Sequence, residues 1–198
     1  MIYLDDEEFL RGNVPMTKQE IRILTLAKAK ISSDAIVVDV GAGTGSITVE
    51  AARLAPNGKI FAVERKAEAV ALIKRNVEKF SVDNVEIICA EAPDGLENLP
   101  NEIDAAIIGG SGGKLEKILD VLAAKLKVGG RIVVNAITIQ TAAKTLEYFH
   151  AHGWDVDALQ IQITRLKKIG AYDMNQALNP VWIITAQRGL AVCNALPH

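Results

Sequence analysis

The residues most able to do chemistry in this chain are two acids and a run of glycines. Asp39 stands in Asp39-Val40-Gly41-Ala42-Gly43-Thr44-Gly45, and Glu64 ends the segment Lys59–Glu64. A glycine turn between strand and helix lets backbone approach a ligand closely, because no Cβ intervenes and positive φ is open. The first N–H groups of the helix that follows have no intrahelical partner. A carboxylate such as Glu64 can accept two hydrogen bonds at once from a sugar diol. The spacing therefore predicts a ligand site where bare peptide N–H groups of residues 41–45 face the ligand.

The glycines are spaced G-x-G-x-G, and Ser46 stands where the dinucleotide fingerprint G-x-G-x-x-G needs its third glycine. That departure argues against NAD and FAD. The order strand, D-x-G-x-G-x-G, helix, strand and acid instead resembles the S-adenosylmethionine site of Rossmann-like methyltransferases. The resemblance implies that Gly41, Ala42, Gly43, Thr44 and Gly45 wrap the methionine and ribose portions of this methyl donor. It also implies that Glu64 holds the ribose and that Ala92 borders the adenine.

The elements that must position these residues follow from periodicity. Ile36-Val37-Val38-Asp39-Val40 reads as a buried parallel strand. Further strands are expected at Lys59–Glu64, Val85–Cys89, Ile103–Ile108 and Arg131–Ala136, alternating with helices. Before them, residues 1–14 read as an irregular arm. A helix follows, with Thr17 and Glu20 spaced as a capping box and Ile21, Leu24, Ala27 and Ile31 on one face. A helix carrying Ile139, Ala142, Leu146 and Phe149 closes at Gly153. Leu159, Ile161 and Ile163 then alternate with polar residues as a half-exposed strand. A glycine-bearing connection, 167–179, leads to the last strand, Pro180–Gln187. This is an α/β chain, expected to be a single domain over 1–198 with its arm and first helix at 1–31. The methyltransferase likeness implies a seven-stranded, mostly parallel sheet with an antiparallel last strand, order 3-2-1-4-5-7-6, and helices on both faces.

Composition narrows the function class. The chain has 198 residues, 49% of them hydrophobic, and a net charge of −2, so the basic surplus of a nucleic-acid binder is missing. No apolar run is long enough to cross a bilayer. The acidic start is unlike a secretory signal, and a reduced, cytoplasmic setting is expected. Cys89 reads as a small buried hydrophobe. Cys89 and Cys193 have no metal-ligand spacing; His150, His152 and His198 form no metal pattern, and no metal is expected. Local charge is uneven. Arg11, Lys18, Arg22, Lys28 and Lys30 face only Glu20, and Arg165, Lys167, Lys168 and Arg188 face only Asp173. Two basic segments in an acidic chain suggest an anionic substrate.

The loop after Ile103–Ile108 is Gly109-Gly110-Ser111-Gly112-Gly113. It lacks the Asn/Asp-Pro-Pro-aromatic motif of many amino-group methylases. Open backbone at Gly110, Ser111 and Gly112 suits a large substrate or an anionic group on a glycine nest. Val14-Pro15-Met16-Thr17-Lys18 with Glu20 and Arg22, Asp39–Gly45, Gly109–Gly113 and Asn179-Pro180-Val181 together resemble one family. These are the decarboxylating cobalt-precorrin-6B C(15)-methyltransferases of the anaerobic cobalamin pathway, similar to the carboxy-terminal half of precorrin-6Y methyltransferase. The resemblance implies a stand-alone subunit that methylates a meso carbon of a tetrapyrrole and removes CO2 from a ring acetate. It implies a homotetramer and places Thr17 at the S-adenosylmethionine site. No catalytic side chain is expected, because the conjugated ring supplies its own carbon nucleophile. Cations for the substrate carboxylates are expected at Lys18, Arg22, Arg165 and Lys168. The competing readings are an RNA or protein methyltransferase of this fold and a non-catalytic subunit that binds S-adenosylmethionine.

Overall fold

The computed structural model describes residues 3–189. Cys193 and His198 lie outside them. The elements run α1 (Gln19–Ala29), β1 (Ile36–Val40), α2 (Ser46–Leu54), β2 (Lys59–Glu64), α3 (Ala67–Lys79), β3 (Val85–Cys89), β4 (Ile103–Ile108), α4 (Leu115–Lys125), β5 (Leu126–Ala136), α5 (Ile139–Ala151), β6 (Asp155–Ile161), β7 (Thr164–Ile169), β8 (Tyr172–Ala177) and β9 (Val181–Gln187). A seven-stranded sheet has the order β3-β2-β1-β4-β5-β9-β6, with β9 antiparallel to both neighbours. The expected order therefore holds, β9 being the last strand of the main sheet. β7 and β8 form a separate antiparallel pair.

Strand alternation divides the core in two. Val38 and Val40 point to one face, where Ile118, Leu119 and Leu122 of α4 and Phe149 of α5 bury them. Val37 points to the other, with Ile21 and Leu26 of α1 and Ile47 and Ala51 of α2. Helices on both faces explain why β1 and β4 are apolar almost throughout.

Local structure departs from the sequence reading in six places. Lys18, not Thr17, caps α1, and no side chain bonds the cap; Glu20 is turned instead to Arg165, 2.7 and 2.8 Å away. The buried face of α1 is Ile21, Arg22, Thr25, Leu26 and Ala29, whereas Leu24 and Ala27 are exposed. The arm is ordered by specific bonds. Residues 6–8 form a 3-10 turn, Leu4 and Phe9 are buried, and Asn76 bonds both the N–H and the carbonyl of Leu10. β5 starts at Leu126, so Val128-Gly129-Gly130 lies within a strand and not before it. The 167–179 connection is largely the β7–β8 hairpin, with Gly170 at φ +60° in its turn. Ile139 and Cys89 are exposed, Cys89 because β3 is the sheet edge.

Candidate active site

β1 delivers Asp39 and the glycine loop to the carboxyl end of the sheet, where open α/β sheets bind ligands. A cavity of about 410 Å³ opens there, within the usual range for small-molecule sites. Its wall takes Gly41, Ala42 and Gly43 from the first loop, Glu64 from β2, Ala92 after β3, and Gly110, Ser111 and Gly112 after β4. Thr17 and Lys18 close it from the α1 side.

The glycine loop is stiffer and less bare than its sequence predicts. The N–H groups of Gly41 and Ala42 donate to the Val63 carbonyl at 2.9 and 3.3 Å, and that of Gly45 to the Ala42 carbonyl at 2.8 Å. The N–H of Gly43 donates to Glu64 Oε2 at 3.0 Å. The free donors in the wall are instead the first N–H groups of α2, at Ser46 and Ile47, which have no acceptor among the described residues. Glycine is required at Gly41 for another reason. At φ +74°, a Cβ there would sit 2.8 Å from both the N and the O of Gly110, so the two loops touch backbone to backbone.

Glu64 is buried, and Lys66 N–H donates to its Oε1 at 2.9 Å. Each of its oxygens thus holds one peptide donor and keeps a lone pair for a diol. Asp39 is buried and accepts from the Thr48 hydroxyl at 2.6 Å. Burial, helped by the charge of Glu64 and opposed by Thr48, pushes its carboxyl up to about 6. An ionised Asp39 in the wall favours a cationic ligand.

Some residues expected at the site are elsewhere. Thr44 is buried outside the wall, its carbonyl accepting from Asn76, and a Cβ on Gly45 would meet Ile73 at 3.1 Å. Both shape the turn into α2. Arg22 is fully buried and cannot reach a substrate. Its Nε donates to Glu50 at 3.0 Å, Nη1 to Asp6 at 3.1 Å and the Thr17 carbonyl at 2.9 Å, and Nη2 to the Leu4 carbonyl at 2.6 Å. It fixes the Thr17 wall from behind. Arg165 also lies outside the wall, paired with Glu20 and 3.6 Å from Asp6 Oδ2, which is 3.9 Å from Lys18 Nζ. Lys168 lies on the exposed hairpin, outside the wall.

The sequence reading misses Asn135, Ile137 and Val181, which line the cavity beyond β4, and Arg65 and Glu91 on the β2–β3 side. Asn135 had a signal: it is the polar residue that follows the apolar run Ile132-Val133-Val134 at the carboxyl end of β5. Its Oδ1 lies 3.0 Å from the Thr25 hydroxyl. No group of three or more His, Cys, Asp or Glu residues that could hold a metal occurs among the described residues.

Comparison with known proteins agrees with the geometry. A family model described as precorrin methyltransferase domain matches residues 8–188. A probable cobalt-precorrin-6B C(15)-methyltransferase (decarboxylating) of Sulfurisphaera tokodaii is 42% identical over 187 residues, 93% of this chain and 97% of that protein. The protein of Salmonella typhimurium named cobalt-precorrin-6B C(15)-methyltransferase (decarboxylating) is 36% identical, covering 93% of this chain and 96% of its own length. The crystal structure of precorrin-6Y C5,15-methyltransferase from Geobacter metallireducens matches with a TM-score of 0.88 at 42% identity, over 93% of this chain and 97% of that one. The sheet order, the glycine loop with its acid, and these matches agree: the chain belongs to the precorrin methyltransferase family.

Proposed function

We propose that this chain methylates the C-15 meso carbon of cobalt-precorrin-6B and removes CO2 from the ring C acetate, giving cobalt-precorrin-7 in cobalamin biosynthesis. The observation that carries the reading is one cavity shared by Asp39, the glycine loop and Glu64, in a chain matching decarboxylating relatives over 93% of its length. S-adenosylmethionine supplies an electrophilic methyl on a sulfonium. The residues present fit it. Glu64 keeps acceptor sites for a ribose, Asp39 offers charge to a cation, and the Gly41–Gly110 contact leaves space that side chains would fill. Ala92 would border the adenine, and Thr17 the opposite wall.

The protein's part is to align and enclose. Methyl transfer to an enamine-like ring carbon leaves an iminium, which accepts the electron pair released as CO2 departs. Neither step needs a strong base on the chain. Gly110, Ser111 and Gly112 give the ring close access to backbone. Lys18 in the wall, with Arg165 and Lys168 outside it, offers charge to its acidic side chains. A homotetramer in the cytoplasm is part of the same reading. The exposed Leu166, Ile169, Tyr172 and Met174 of the β7–β8 hairpin supply apolar surface for association.

Incubating the chain with S-adenosylmethionine and cobalt-precorrin-6B, then weighing the product, tests the assignment. One methyl gained with CO2 lost is expected. A methyl gained alone would assign decarboxylation elsewhere, and an unchanged substrate would overturn the reading.

A further inference from the structure

Two large aliphatic side chains stand in solvent where the cavity opens. Ile137 lines the wall yet is 73% exposed, and Ile139, two residues on, is 79% exposed. The backbone between them is fixed. Thr138 is extended, at φ −119° and ψ 146°, and caps α5. Its Oγ1 accepts from the Thr141 N–H at 3.2 Å and lies 2.8 Å from the Thr141 hydroxyl. Side chains that flank one extended residue leave the chain on the same side, so Ile139 continues outward the surface that Ile137 begins in the wall. Branching at Cβ stiffens both at χ1. No charged residue occurs from Ile132 to Ala143.

The neighbours of this pair leave room for a broad ligand. Ile108 pairs with Val134, so the glycine loop after β4 and residues 135–138 leave the sheet side by side. A Cβ on Gly110 would meet nothing within 4 Å. On the other side Ala136 pairs with Trp182, which brings Val181, another wall residue, beside Ile137. Open backbone next to stiff aliphatic surface suits a flat ring with apolar faces, and exposed apolar surface continuous with a cavity marks a ligand groove. A second copy of the chain packed on Ile137 would cover the opening that the substrate must enter, which favours the substrate as occupant.

We propose that Ile137 and Ile139 form an apolar shelf that takes one flat face of the substrate macrocycle and leaves its acidic edge to the cations. The inference rests on the tetrapyrrole reading above and adds the surface that holds the ring.

The test is a fluorescence titration of the full chain with a porphyrin octacarboxylate, beside calorimetry with an octaglutamate peptide of comparable charge and with S-adenosylmethionine. Ile139→Ser is expected to weaken porphyrin binding about fivefold and the Ile137→Ser, Ile139→Ser double variant about twentyfold, the worth of aliphatic surface that the ring covers. Octaglutamate binding should not change in either. Ile139→Leu keeps the apolar area and should keep most of the affinity. Both side chains stand in solvent, so the serine variants should melt within about 2 °C of the parent; a larger fall would make them part of the packed fold and overturn the proposal. Ile139 lies outside the wall, so Ile139→Ser should bind S-adenosylmethionine as the parent does. Sedimentation reads the assembly: a double variant that falls to a smaller oligomer with porphyrin affinity intact would make the pair a subunit contact and overturn the proposal. Equal loss of porphyrin and octaglutamate affinity, or no loss of either, overturns it too. A parent chain that binds S-adenosylmethionine but prefers porphyrin no more than octaglutamate overturns this inference alone. A parent that does not bind S-adenosylmethionine overturns the reading beneath it.

Discussion

Replacing Arg22 by Met separates a structural guanidinium from a substrate-binding one. Arg22 is fully buried and donates to Glu50, Asp6 and the carbonyls of Thr17 and Leu4. Met fills much of the volume but leaves the buried carboxylates of Asp6 and Glu50 without their partner. What remains is thin: Glu50 keeps one bond from the Leu4 N–H at 3.0 Å, and Asp6 keeps only the longer approaches of Arg165 at 3.6 Å and Lys18 at 3.9 Å. Breaking a buried pair from one side costs about 3–5 kcal/mol, a large share of the roughly 5–15 kcal/mol that holds a domain folded. At about 2–4 °C per kcal/mol for a chain of this size, the melting temperature should fall by about 6–20 °C. Glu50→Gln in the Arg22→Met background removes one stranded charge and should recover part of the loss. Thermal melts by circular dichroism read both. Affinity for S-adenosylmethionine should fall as well, since Arg22 holds the Thr17 carbonyl at the cavity wall. An Arg22→Met chain that melts within about 2 °C of the parent and loses only substrate affinity would refute this account of Arg22.

Asp39 gives a pH prediction. Burial first, then the charge of Glu64, lifts its carboxyl from 3.8 to about 6, against the Thr48 hydrogen bond. The folded chain therefore holds this proton more tightly than the unfolded chain, and stability from this group falls as pH rises between those values and is level above them. The shift corresponds to about 3 kcal/mol, so Asp39→Asn should melt higher than the parent above pH 7 and equal to it below pH 4. Because the ionised form suits a cation, parent affinity for S-adenosylmethionine should rise through about pH 6, and Asp39→Asn should flatten that rise. Gly41→Ala combines left-handed backbone with a Cβ 2.8 Å from Gly110 backbone and should cost on the order of 2–4 kcal/mol. Gly113→Ala, with φ +85° but nothing within 4 Å, should cost only about 1–2 kcal/mol. Equal melting temperatures for these two variants would show that the loop contact does not constrain the site.

Much of the fold was legible because buried parallel strands write themselves as short β-branched runs. β1, β2, β3 and β4 have the expected bounds. The misreadings share a cause: they depend on partners distant in sequence. Arg22 reads as an available cation until Asp6 and Glu50 are seen to enclose it. The apolar stripe expected on α1 shifts for the same reason, because Arg22 and Thr25 occupy buried positions that periodicity assigns to hydrophobes. The glycine-loop amides look bare in sequence, yet β2 pairs beside β1 and its Val63 carbonyl and Glu64 carboxylate take them up. The β7–β8 hairpin was not legible, since its residues are exposed on both faces and no alternation marks it. Cys89 reads as buried from its apolar neighbours, and only the strand order places it at an edge. At the site, the glycine loops and Glu64 come together as their spacing implies. Asn135 carries a sequence signal as a polar residue at a strand end, but its contact with Thr25 of α1 is a long-range one that only the fold shows.

The central claim is that the glycine loop, braced by Glu64, forms a site for an adenosyl sulfonium, and titration calorimetry with S-adenosylmethionine tests it most directly. The parent chain should bind at micromolar concentration, and Glu64→Gln, which replaces one acceptor oxygen by a donor, should bind about tenfold to a hundredfold more weakly, the worth of about 1.5–3 kcal/mol of charged hydrogen bonding. No heat from the parent, or equal affinity in the two chains, would contradict it.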